Sequence, residues 1–111
     1  MNINQRIVSA FDGYLPIEAD VYKGDANIYL VFNYTELPAD FGDDDAEHYR
    51  YLVQLHLYAP HGTNTVSRRR EIVSRLVRAG FTRPSTTPAS DVASQHYVFE
   101  CEDAEGVFDY G

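Results

Sequence analysis

The run from Tyr49 to Phe81 constrains this chain more than any other stretch. It reads Y-R-Y-L-V-Q-L-H-L-Y-A-P, a polar break H-G-T-N-T, then V-S-R-R-R-E-I-V-S-R-L-V-R-A-G-F. Its first part alternates with period two. Tyr49, Tyr51, Val53, Leu55 and Leu57 share one face, Arg50, Gln54 and His56 the other, and Leu52 is the exception. Alternation of this kind predicts a strand buried on one side. Pro60, which has no N–H to give a ladder, ends it. Its second part has a period near 3.6. Val66, Ile72, Val73, Leu76 and Val77, with Ala79 beside them, form an apolar stripe that predicts a helix over 66–79. Asn64, Thr65 and Ser67 are all competent N-caps. Gly80 stands where a residue with positive φ ends a helix, and Phe81 is placed to fold back on the last turn. Arg75 and Arg78 suit the negative end of the helix dipole.

The flanking segments extend this pattern. Residues 3–13 predict a helix with Ile3, Ile7, Val8 and Phe11 on one face, Asn2 or Asn4 as cap, and Gly13 and Pro16 closing it. Residues 14–27 read as a connector with a turn at Lys23-Gly24-Asp25. The β-branched and aromatic run I-Y-L-V-F-N-Y-T predicts a strand over 28–35. An acidic loop, 37–47, joins it to the strand at 48–59. A short strand over 81–84 leads into a polar Pro/Ser/Thr loop, 84–93. A last strand spans 95–102, with Tyr97, Phe99 and Cys101 inward, and an acidic, loosely held tail covers 103–111. The resulting order is α-β-β-α-β-β. The expected fold is a single α+β domain over 1–111, two helices packed on one face of a mainly antiparallel four-stranded sheet.

With 111 residues the chain has enough surface to bury for one core without staples. Nine tyrosines and no tryptophan suit half-buried sheet faces and interfaces. The lone Cys101 leaves no internal disulfide and fits a reducing compartment. The first residues show no basic and apolar leader pattern, and no apolar run reaches membrane-span length. The sequon Asn33-Tyr34-Thr35 falls inside an expected strand.

Charge is unevenly placed. Residues 64–83 carry six arginines against Glu71 alone, a charge of +5, so the remainder carries −13 of the total −8. Acids gather at Asp40, Asp43, Asp44, Asp45 and Glu47, and again at Glu100, Glu102, Asp103, Glu105 and Asp109. A surface split in this way suits contacts between copies of one chain, or with an oppositely charged partner.

Chemistry-bearing motifs are few. His48, His56, His61 and His96 match no zinc spacing. Asp43-Asp44-Asp45 lacks the alternate ligands of a calcium loop. There is no nucleophile elbow and no glycine-rich phosphate cradle. Arg68, Arg69, Arg70, Arg75 and Arg78 admit three readings: a solvated helix face, a contact between subunits, or a nucleic-acid surface. Phosphate binding wants concentrated positive potential, which the surrounding −13 opposes.

A leading helix, a Y-L-V-F strand, a loop, a strand Y-L-V-Q-L-H-L-Y-A-P and a helix ending A-G-F resemble the small tail-completion proteins of long-tailed bacteriophages, also called tail terminators or head–tail joining proteins. The resemblance runs from about Ile3 to Cys101 and rests on element order and the strand–helix–"GF" unit. It implies a structural virion protein of a phage or prophage, without catalytic activity or cofactor. Such a protein is assembled in the cytoplasm of the bacterial host and sits at the head–tail junction. It would close into a ring, typically a hexamer, or stay monomeric until it meets the tail tube. Its partners would be other copies of itself, the tail tube protein and the head connector, and DNA would pass through the channel unbound. No membrane is involved. The interface residues expected on this resemblance are Arg68, Arg69, Arg70, Arg75 and Arg78 against Asp43, Asp44, Asp45 and Glu47, with Tyr34, Tyr49 or Tyr58 as apolar adhesive. The alternative is a small nucleic-acid-binding or regulatory module using the helix at 66–79, and a small ligand-binding domain or enzyme with its site between sheet and helices stands behind that.

Overall fold

The computed structural model describes residues 2–38, 48–103 and 108–109. Its elements, in chain order, are α1 (Ile3–Ala10), β1 (Ile17–Ala19), β2 (Tyr29–Pro38), β3 (His48–Ala59), α2 (Val66–Arg78), β4 (Ser85–Pro88), β5 (Gln95–Cys101) and β6 (Phe108–Asp109). The sheet runs β1-β2-β3-β5-β4, with β6 paired to β3.

Alternation in β3 sets the layering. Tyr51, Val53, Leu55, Leu57 and Ala59 are buried, and so are Leu30 and Phe32 of β2 and Phe99 and Cys101 of β5. Ile3, Ile7 and Phe11 from the first helical segment and Ile72 and Leu76 from α2 complete the same core. Both helices therefore lie on one face of the sheet, as the two periods require.

The expectation of four antiparallel strands needs correction. β1 pairs parallel with β2, Ile17 to Leu30 and Ala19 to Phe32, so the sheet is mixed. The parallel strand was hidden because only three residues of the connector pair, and they carry no alternation of their own. The short strand expected at 81–84 lies instead at 85–88. Thr86 pairs with Phe99, so the first half of the expected loop 84–93 is an edge strand. At Phe81 only an isolated bridge to Asp103 forms. The tail is not wholly loose either. Asp103 is 5% exposed, and Phe108 and Asp109 pair with Tyr49 and His48. The acidic loop beyond Pro38, with Asp43, Asp44, Asp45 and Glu47, lies outside the described residues.

Helix ends follow local chemistry. Asn2 caps α1 in a capping box: its side chain accepts from Gln5 N–H at 2.9 Å, and the Gln5 side chain accepts from Asn2 N–H at 3.0 Å. The helix stops at Ala10, three residues before the expected end. α2 ends in a Schellman pair, Phe81 N–H to Leu76 C=O at 3.1 Å and Gly80 N–H to Val77 C=O at 3.0 Å, with Gly80 at φ +95°. Phe81 is then buried at 2%. At the other end Thr65 is the N-cap but spends its hydroxyl elsewhere, donating to Gln95 Oε1, while Asn64 Oδ1 accepts from Val66 N–H. Neither apolar stripe is buried throughout. Val8 is 42% exposed, Val66 40% and Val77 38%.

Candidate functional site

Two surfaces of the sheet-and-helix layers carry unusual side chains. The first is the sheet face opposite the helices. Register places Tyr29 opposite Tyr58 and Tyr58 opposite His96, so their rings line up across β2, β3 and β5. Tyr22 stacks on Tyr29 at 4.0 Å between centroids, Tyr29 on Tyr58 at 5.2 Å, and Tyr58 on His96 at 4.2 Å. His56 joins the row, its Nδ1 2.8 Å from His96 Nε2. Asn33 Nδ2 lies 3.4 Å from His56 Nε2. With Asn33 donating, His56 holds its proton on Nδ1 and donates to His96. Burial lowers both imidazole pKa values. For His56 the nearby His96 adds to the effect and Glu100 opposes it, and for His96 the opposing acid is Asp91. Tyr58 is pushed up, by burial first and then by Tyr29 and Asp91. His56, His96 and Tyr58 are therefore neutral near pH 7. Any one of these residues looks ordinary in the sequence. Only strand register brings them together, and register was not readable there.

The second surface is α2, where the five expected interface arginines divide. Arg75 Nε donates to Glu71 Oε2 at 2.9 Å and Nη1 to Ala10 C=O at 3.1 Å, and its guanidinium lies over the Tyr14 ring. It joins α2 to the end of α1. Arg78 Nη2 reaches the same Glu71 oxygen at 3.0 Å. Arg69 lies over Tyr97 at 4.2 Å and donates to Thr65 Oγ1. Arg70 and Arg68 have no hydrogen bond or ion pair with any described residue, and Arg83, outside the helix, is in the same position. Three of the five arginines are thus committed inside the chain. Glu71, a single acid on the helix, neutralises two of them.

Beside Arg70 and Arg83 lies a groove of about 580 Å³ between α2 and the edge strand β4. Val66, Val73 and Val77 form its apolar floor, Thr86 its far wall, and Arg70 and Arg83 stand among the cations at its rim. It exists because the helical layer covers β2, β3 and β5 but stops short of β4, whose four residues are all exposed. The apolar stripe of α2 is wider than the part the core uses, and the surplus is this floor.

Of the tyrosines expected as adhesive, Tyr34 and Tyr58 have side chains among the described residues. Tyr34 is half-buried on the helical side, donating to Asn4 Oδ1 at 2.5 Å and meeting Tyr51 edge-on at 5.3 Å. Tyr58 belongs to the ring row. The side chain of Tyr49 lies outside the described residues. Cys101 is buried, with its thiol pushed up to about 12, mainly by burial and then by Glu102, so it is no nucleophile at neutral pH. No three metal-ligating side chains converge among the described residues, and none of the described helices is long and apolar enough to cross a membrane.

No protein-family model matches the chain, and no curated protein matches it. Among solved structures it is similar to one that carries a serial label in place of a functional name, at 16% identity and a TM-score of 0.56, with 99% of each chain covered. At that identity the likeness speaks for the fold alone: the chain is a small α+β domain with two helices on a mixed sheet.

Proposed function

We propose that this chain is a structural, non-enzymatic tail-terminator protein of a long-tailed phage or prophage. It closes into a ring, a hexamer on the family resemblance, on the end of the tail tube and offers its other face to the head connector at the head–tail junction. DNA passes through the ring without being bound in a specific manner.

The observation that supports this reading is the uneven charge of one subunit, cations gathered on residues 64–83 and acids elsewhere. A ring needs two different, complementary patches per copy, because its contacts run head to tail. Arg70 and Arg83, at the α2–β4 groove, have no acid partner among the described residues. In sequence the acidic stretch 39–47 separates Pro38 of β2 from His48 of β3, and Phe108 and Asp109 pair with Tyr49 and His48. The nucleic-acid alternative is weaker. Arg69, Arg75 and Arg78 are engaged within the chain, and the ring row has Glu100 and Asp91 beside it.

Tail tubes assembled without a terminator are the substrate for the test. Added protein should bind one tube end, appear there as a ring by electron microscopy, and stop further growth. Tubes that keep growing, with no protein at their ends, would overturn the reading. Salt-dependent DNA binding lost on changing Arg68, Arg69 and Arg70 to Glu would favour the alternative.

A further inference from the structure

We propose that the open edge of β2 in one copy of this chain pairs with the open edge of β4 in the next, so that one sheet runs on from subunit to subunit. This rests on the ring reading above and names its contact. On the β2 side, Asp20 N–H donates to Phe32 C=O at 2.9 Å and Leu30 N–H to Pro16 C=O at 2.8 Å, so the even-numbered residues of β2 point their backbone groups outward. β1 stops at Ala19 opposite Phe32, where Asp20, at φ +65°, turns the chain away. Tyr34 and Glu36 therefore each hold an outward N–H and C=O with no strand beside them among the described residues. On the β4 side, Ala89 N–H donates to His96 C=O at 2.8 Å, so the odd-numbered residues turn their backbone groups to β5, and Thr86 and Pro88 turn theirs outward. Pro88 has no N–H to leave unpaired there, as suits an edge.

The two edges match in direction, register and charge. β2 and β4 run in opposite directions, since each step from β2 through β3 and β5 to β4 is antiparallel. A second copy laid alongside in the same orientation brings its β2 antiparallel to β4, with the helices of both on one side. The register that clears β1 sets Glu36 opposite Thr86, Thr35 opposite Thr87 and Tyr34 opposite Pro88. Glu36 and Thr86 then exchange both backbone bonds, and Tyr34 N–H donates to Pro88 C=O. A shift of two residues one way sets Pro88 against Phe32, where β1 already lies. The opposite shift sets Thr86 against Pro38, which has no N–H, and forfeits a bond. Thr86 is the far wall of the α2–β4 groove, with Arg70 and Arg83 at its rim. Glu36 lies on the helical side too, where its Oε1 accepts from Tyr51 O–H at 3.1 Å. The joint thus brings a carboxylate to two arginines that have no acid partner among the described residues. It also brings the incoming α1, tied to Tyr34 through Asn4, across the groove from α2, which closes the gap in the helical layer above the valine floor. The contact lies between copies, because β3 and β5 separate the two edges by three strand spacings, roughly 14 Å. Repeated head to tail, it closes a ring or continues as a filament.

Disulfide trapping tests this on the full chain. Thr35→Cys and Thr87→Cys, both at exposed positions, stand directly opposite across the joint, and Asp12→Cys, exposed just after α1, is the control. Cys101 is buried and stays as it is. Mixing T35C with T87C under mild oxidation should give heterodimer at least about tenfold faster than mixing T35C with D12C, through the local concentration that a contact creates. High salt should reduce the difference. Arg70→Glu with Arg83→Glu in the T87C copy should abolish it, and Glu36→Arg in the T35C copy should then restore it. Thr86→Pro, which removes the outward N–H, should abolish it as well. Unchanged melting temperatures of these variants would exclude misfolding. Equal rates for T87C and D12C would overturn the proposal. So would T35C linking to itself as fast as to T87C, which would assign the β2 edge to a symmetric pair of copies. The two readings separate cleanly. Rings seen by light scattering without T35C–T87C trapping would leave the ring standing and this contact wrong. Trapped assemblies that never cap tail tubes would keep the contact and remove the tail terminator.

Discussion

His56 and His96 face each other at 2.8 Å on the open face of the sheet, and this makes their protonation a stability term. Both have folded-state pKa values below the ordinary imidazole value, chiefly from burial. A depressed value means that the unfolded chain binds protons more readily, so stability rises with pH across that range. The contribution is complete above the unfolded value near 6.5 and is lost as pH falls through the folded values. Melting temperature should therefore drop between pH 7 and pH 5, and His56→Gln with His96→Gln should flatten that drop. A double variant with an unchanged pH slope would remove the pair as its source. Cys101 gives a second residue-scale expectation. Its thiol, buried and pushed up to about 12, should react with alkylating reagents only when the core opens, so the rate should follow denaturant as unfolding does. Rapid modification under native conditions would contradict the burial.

At the scale of elements, α2 shows how a helix is held by its ends. Gly80 at φ +95° turns the chain so that Phe81 reaches the core, and a Cβ there would also meet the Arg6 guanidinium. Arg6 in turn donates to Ala79 C=O at 2.8 Å and pairs with Asp103 at 3.4 Å. Gly80→Ala should thus cost about 1–2 kcal/mol from the left-handed conformation alone, more if Arg6 has to move, measurable as a lower denaturant midpoint. A neutral result would mean that the turn relaxes freely. This end was legible in the sequence because A-G-F carries its own local chemistry. The start of α2 was not: three residues offered cap oxygens, and the choice was made by Gln95, thirty positions away, which engages Thr65 and donates to Thr63 C=O at 2.8 Å. Likewise β1 and β6 are two or three residues long, and only their partners make them strands. Local signals fix the start of α1, the end of α2 and the long strands, while contacts distant in sequence decide the rest, including the start of α2, the ring row and the division of the arginines.

On the scale of the whole molecule, the sheet is unevenly supported, and this predicts where it opens first. The molecule measures 51 × 26 × 25 Å along its principal axes. From Val53 to Tyr58 strand β3 has β2 on one side and β5 on the other, and the helices cover one face. From Arg50 to Leu52 it pairs with β2 alone among the described residues, and β2 beyond Phe32 has no second neighbour there. Backbone hydrogen bonds with strands on both sides and a packed face open only with the core, whereas an arm supported on one side opens at lower cost. Amide exchange should therefore be slow at Val53, Leu55 and Leu57, close to the global unfolding limit, and much faster at Arg50, Leu52, Thr35 and Leu37. Leu55→Ala, which removes a fully buried side chain, should lower global stability by about 2–5 kcal/mol. It should speed exchange in the body, with little effect on the arm. Equal protection of arm and body in the isolated chain would mean that the hairpin is held by something other than the contacts described.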